Sequence, residues 1–300
     1  MGERENMRTD FLLPMILLFG GPWAINPPAT SQPASQSESI GPPVETPFLG
    51  HVIGNIDKIG FGEPSGIVFH PSRKTMFVVG DEGDLCEMKT DGTVLRKEHY
   101  PSGSIRMDFE GITVNPATGL LYVAIEGAEA ILEIDPADLS VKRKFDIERI
   151  LDGELVMAPG GQGIEGITFV PDPKLPHGGT FLVANQAFDL NNPKDVSAVF
   201  EVEVPLADRG DSLPPCKLLR QFSLGMTDLS DIHLDSARGR LYVISDYNNL
   251  LFVATPDGRV IAKYTDLPCT DQEGIAFDDA GNIYIAQDSG GVVKREWSAK

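Results

Sequence analysis

Acidic and hydroxyl residues recur in this chain at matched places. Ser65, Glu110, Glu165, Ser230 and Glu273 each open a short apolar run, as in Asp108-Phe-Glu-Gly-Ile-Thr-Val and Asp271-Gln-Glu-Gly-Ile-Ala-Phe. Asp81, Glu126, Asn185, Asp246 and Asp288 each end the next apolar run, at a nearly constant interval after the first set. Oxygen donors without histidine or cysteine suit a hard cation, and calcium's large, forgiving coordination suits them better than magnesium's strict octahedron. Carboxylates crowded around one axis cannot all stay ionised unless some protonate or a cation compensates them. The expected metal ligands are Glu110, Glu165, Asn185, Asp246, Glu273 and Asp288, with Asp81 and Glu126 at the same mouth and calcium as the cofactor. On an extended strand residues i and i+2 share a face, so Asp108 should point with Glu110, and Asp271 with Glu273. The competing reading is that these acids only satisfy backbone N–H groups at turns.

What must position them is a repeat. Five copies of strand, tight turn, strand run through most of the chain, and a third and fourth strand follow in the first four copies. Asp91-Gly92 and Asp257-Gly258 mark hairpins, because aspartate and glycine tolerate the positive φ of tight primed turns. The fifth copy has only Gly291-Val-Val-Lys-Arg-Glu-Trp297 beyond its first two strands, whereas His51 to Ile59 is a strand with no local partner. The expected fold is therefore all-β: a five-bladed β-propeller of four-stranded antiparallel blades, closed by the N-terminal strand completing the last blade. Two segments depart from the repeat. Residues 145–161 read as one helical turn and a glycine-rich loop, and 188–195 as a polar loop; both are candidates for a rim around a site.

Ahead of the propeller (48–300), residues 1–25 carry Arg4 and Arg8, then Phe11-Leu-Leu-Pro-Met-Ile-Leu-Leu-Phe19. A basic head before a short apolar run is a signal peptide, cleaved or retained as a membrane anchor. Residues 26–47 are a Pro/Ser-rich tether with little to bury. An exported protein is expected, in the cell envelope or secreted. The net charge of −19 excludes a basic nucleic-acid footprint and an electrostatic hold on anionic lipid. It leaves cations, an unidentified small molecule or an envelope protein as partners, and a monomer is expected. Cys86 reads as a small core residue, and a Cys216–Cys269 bridge stays open in an oxidising compartment. His233 reads as a packed or solvent-facing residue rather than a base, and Ser65 as a repeat position rather than a nucleophile.

The Asp-x-Glu-Gly-Ile phrases, Asp279-Ala-Gly-Asn-Ile-Tyr-Ile285, and Leu219-Arg-Gln-Phe222 ahead of Asp228-Leu-Ser-Asp231 resemble the SdiA-regulated (YjiK-like) family of bacterial envelope proteins. The likeness spans roughly 48–296. It implies a β-propeller, calcium binding and an envelope or secreted location, and no reaction. A more distant likeness is to calcium-dependent propeller hydrolases of lactones and phosphate esters, where Glu63, Asn185 and Asp246 would stand as ligands; those rings have six blades against five here. The sequence thus expects a ligand- or partner-binding calcium propeller, with a calcium-dependent esterase, lactonase or phosphoesterase as the alternative.

Overall fold

A computed structural model describes residues 44–45, 50–101, 107–175, 178–210, 212–265, 267 and 271–297. The signal region, nearly all of the tether and Cys269 lie outside them, so the Cys216–Cys269 pairing does too. The described residues form five four-stranded antiparallel units. Blade 1 comprises Pro64–His70, Thr75–Gly80, Asp84–Lys89 and Val94–His99. Blade 2 comprises Phe109–Val114, Leu121–Ile125, Ala130–Ile134 and Val141–Asp146. Blade 3 comprises Ile164–Pro171, Gly179–Asn185, Ala198–Glu203 and Lys217–Phe222. Blade 4 comprises Asp231–Asp235, Arg240–Ser245, Leu250–Ala254 and Val260–Thr265. In blade 5, Gln272–Phe277, Asn282–Gln287 and Gly291–Glu296 are joined by His51–Asn55 on the outer edge. The N-terminal strand closes the ring as the sequence leads one to expect.

Burial follows position in the blade. The inner strand Pro64–His70 is buried throughout, because it lies between neighbouring blades at the axis. The outer strand Val94–His99 is largely exposed and charged, which keeps an open edge from recruiting other strands. Five apolar clusters hold the ring, one at each blade boundary. At the boundary of blades 2 and 3, Tyr122, Phe145, Phe169, Phe181 and Phe200 pack together, with Phe181 edge-on to Tyr122 at 4.9 Å. Each such ring contributes about 1.5–3 kcal/mol by leaving water. Cys86 sits in the core between blades 5 and 1.

Toward the outside of blades 1 to 3, an acid on the third strand faces an arginine directly across on the fourth. The pairs are Glu87 with Arg96, Glu133 with Arg143, and Glu201 with Arg220.

Three segments differ from the sequence expectation. The stretch read as a helical turn is a hairpin, Ile150–Leu151 against Glu154–Leu155. Its turn is Asp152-Gly153, both at positive φ, so the Asp-Gly rule wins over the helical spacing. The strand from His51 ends at Asn55 and gives way to a 3-10 turn at Asp57–Ile59, stopped by Gly60 in the left-handed region. Within the tether, Val44–Glu45 adds to blade 4 as a parallel strand beside Tyr264 and Thr265.

Candidate metal centre

The start of each inner strand is built to re-aim one side chain. In blades 1, 2, 3 and 5 the pairing of the inner strand slips by one residue, at Ser65, Glu110-Gly111, Glu165-Gly166 and Glu273. Such a bulge breaks the two-residue alternation and turns the extra residue out of the ladder. The glycine beside it is required by close approach of the next blade: a Cβ on Gly66 would lie 2.2 Å from the Glu110 carbonyl oxygen. Blade 4 has neither feature. Asp231 stands in the glycine's place and its strand pairs in regular register.

A second device brings in the other row of acids. The N–H of Asp81 donates to the Glu63 carbonyl (3.3 Å), Glu126 to Asp108 (3.0 Å) and Asp288 to Asp271 (3.1 Å). Gln186, just after Asn185, donates to Gly163 (2.8 Å). In blade 4 the Ser230 hydroxyl accepts from the Asp246 N–H (3.1 Å). Each clasp ties the end of the second strand to the start of the first. Ser65 and Ser230 therefore serve the repeat, with the Ser65 hydroxyl donating to the Glu63 carbonyl at 3.1 Å.

At blade 2 these devices place one oxygen each of Asp108, Glu110 and Glu126 within 4.8 Å of one another. Glu110 is also hydrogen-bonded to Glu165 of blade 3. Two carboxyls share such a bond only if one holds a proton. Burial, followed by the charges of Glu110 and Glu126, pushes Glu165 well above the carboxylate range. Burial and the charges of Asp108, Glu126 and Asp81 push Glu110 up to about 8.

The far side of the mouth repeats the situation. Burial, then Asp246, Asp228, Asp288 and Asp271, push Glu273 up to about 8. Asp288 is raised by burial and by Glu63, Asp271 and Asp246. The groups acting most strongly on these carboxyls are all acids. Asp231 is buried; its Oδ2 accepts the Ile275 N–H at 2.7 Å, while Oδ1 has no partner.

Of the six expected ligands, the structure joins Glu110 to Glu165 and groups Glu273 with Asp246 and Asp288. Asn185 stands apart: fully buried, it donates to the Val196 carbonyl at 2.9 Å, and its Oδ1 has no partner. His233 packs on Phe277 with ring centres 5.2 Å apart, and burial lowers its pKa to about 4, as befits a packed residue.

The model of the SdiA-regulated family matches residues 54–289. The chain belongs to the SdiA-regulated family. Among solved structures, this SdiA-regulated propeller is similar to Myxococcus xanthus glutaminyl cyclase, at TM-score 0.53 and 13% identity over 82% of this chain and 92% of that one. Kuenenia stuttgartiensis hydrazine synthase (TM-score 0.44, 13% identity, 75% and 55% covered) is also similar. So is a Bacteroides caccae protein of unknown function (TM-score 0.44, 16% identity, 75% and 70% covered). At these identities the likeness is one of fold. No curated protein matches the chain.

Two features of this family member's mouth escape a ligand set drawn from the repeat alone. Asp108 and Glu126 complete the tightest carboxylate group, although the set contains only Glu110 of the three. Asp231 is missed because it occupies a glycine position. The signal was present: the fourth copy reads Ser230-Asp231 where three others read Glu-Gly.

Proposed function

We propose that this propeller is an exported, calcium-binding module that holds a ligand or partner at its channel mouth. One observation carries the calcium reading: Asp108, Glu110 and Glu126 converge with Glu165 behind them, with acids as their strongest neighbours. The donor set fits the ion, since it offers only oxygens and enough of them for a large coordination shell. The partnerless Asn185 Oδ1 and Asp231 Oδ1 are further buried oxygens at this end of the blades. Calcium bound there would neutralise carboxylates that otherwise repel, and would order the strand starts and clasps around the axis. Export is supported by the basic head and apolar run of residues 1–25.

The test is calorimetric titration of chelator-stripped protein with calcium and with magnesium, alongside elemental analysis of the purified protein. Saturable calcium binding, with magnesium weaker, is expected. Absence of bound metal together with equal stability in calcium and chelator would reduce the acids to turn residues.

A further inference from the structure

The rim of blades 3 and 4 carries two exposed aromatic rings beside the acidic mouth. Phe188, in the loop after Asn185, is 52% exposed, and Tyr247, next to Asp246, is 75% exposed. They come from different blades yet meet edge-on, with ring centres 5.8 Å apart and planes at 74°. Their supports are built in. Asp228 accepts from the Gln186 side chain (2.7 Å), the Tyr247 N–H (2.7 Å) and the Ser245 hydroxyl (3.2 Å). Its own N–H donates to the Ala187 carbonyl at 3.1 Å. One carboxylate thus fixes the residue next to Phe188 and the backbone of Tyr247.

Elsewhere the chain covers its rings with its own cations: Arg143 lies over Phe145, Arg220 over Phe222 and Lys263 over Phe252. Among the described residues, no such contact involves Phe188 or Tyr247. Asp246, next in the chain to Tyr247, accepts the Gln272 N–H at 2.9 Å and so lies close to Glu273, and buried Asp231 keeps one oxygen without a partner. The rings meet at a steep angle, and the chain next to Tyr247 supplies negative charge at Asp246. A ring face attracts a cation, most strongly an alkylated or delocalised one whose shell of water is cheaply shed.

We propose that Phe188 and Tyr247, beside the acids Asp246 and Glu273, bind an organic cation: a substituted ammonium or a guanidinium on an alkyl stem. This names the ligand class of the proposed binding module and rests on that reading for the mouth, but needs no calcium at the neighbouring Asp108–Glu110–Glu126 group. The same chemistry comes from a small quaternary amine or from a lysine or arginine side chain of a peptide. Separate probes distinguish these sources.

The experiment titrates the full chain, with and without calcium, with choline, N-acetyl-lysine methylamide and N-acetyl-arginine methylamide, followed by calorimetry and tyrosine fluorescence. The neutral controls are 3,3-dimethyl-1-butanol for choline and norleucine and citrulline derivatives for the others. At least one cation should bind while its neutral isostere does not. Tyr247→Ala and Phe188→Ala should each weaken that binding about 5-fold, the scale of an exposed cation–ring contact. Both variants should keep the calcium shift in melting temperature, which separates a failure here from a failure of the calcium reading. Tyr247→Phe should bind as the parent does. Equal binding of the neutral isosteres, cation binding indifferent to both alanine variants, or no binding of any cation overturns the proposal.

Discussion

Glu87 and Glu165 are the same residue, both buried, and meet opposite company. Glu87, 2% exposed, accepts from Arg73, Arg96 and Thr75, each at 2.7 Å. Burial alone would raise its carboxyl, but those donors outweigh it and hold it below the usual range. Glu165, 7% exposed, has Glu110 for a partner and further acids around it, and is driven far upward. The outer acids have their cation supplied by the strand alongside, through cross-strand register. The inner acids sit where five strand starts converge, and their strongest neighbours are acids from other blades. Satisfied charge marks where the molecule is held together; unsatisfied charge marks where something from outside is expected.

The largest test of that contrast lies at the outer edge. Arg143→Met leaves Glu133 buried with only the Tyr122 hydroxyl, 2.9 Å away, to answer it. Stranding a buried charge costs about 3–5 kcal/mol, read from urea unfolding. A loss near zero would show the outer pairs are as incidental as surface ion pairs.

At the mouth the same logic reverses sign. Glu165→Gln removes a carboxyl that folding forces out of its ionised state, and should stabilise the calcium-free protein. It should also shrink the calcium shift, which for the parent is worth about 2.7 kcal/mol at a hundredfold excess over Kd. Thermal melts in calcium and in chelator give both quantities; a destabilised calcium-free variant would break the comparison.

The pH dependence sharpens it further. An acid with a raised folded pKa binds more protons folded than unfolded, so stability falls as pH climbs from about 4.3 through the folded value. Glu110 and Glu273, each pushed up to about 8, should make the calcium-free protein less stable at pH 9 than at pH 5.5. Glu87, held low, contributes stability that is lost only as pH falls through its folded value. Calcium should flatten the alkaline slope, and melting across pH with and without it is the check. A calcium-free protein that gains stability toward pH 9 would contradict the assignment.

The smallest effect is expected at Asp231. Asp231→Asn keeps an acceptor for the Ile275 N–H and removes a buried carboxyl. A gain of about 1 kcal/mol in calcium-free protein at pH 8, and little at pH 5, is the expected scale for a buried polar group.

The fold was legible because its unit is written five times, and repetition averages out local ambiguity. Strand ends, the closing role of His51–Asn55 and the burial of Cys86 all follow from that. The site was only half legible. Glu110, Glu165 and Glu273 stand out since a bulge and a glycine accompany each, but which carboxylates meet depends on the clasp and on the neighbouring blade. Asn185 illustrates the limit: the strand register puts Gln186, not Asn185, in the place of Glu126 and Asp246, and the Asn185 amide turns to Val196 in the long loop that only blade 3 has. Asp152-Gly153 was misread for another reason, as Ile150, Leu151 and Leu155 mimic helical spacing and the turn signal between them carried more weight.

The pairing of His51–Asn55 with Gly291–Glu296 also sets an order of events in time. This early strand waits for the last one, and until they meet blade 5 lacks an edge and blade 4 lacks a finished neighbour. During synthesis, blades 1 to 3 have all their strands while the ring is still open. Asp108, Glu110, Glu126 and Glu165 can therefore meet as soon as blades 2 and 3 pack, whereas Glu273 and Asp288 reach Asp246 and Glu63 only as blade 5 docks, so the two acidic groups of the mouth are assembled at different stages.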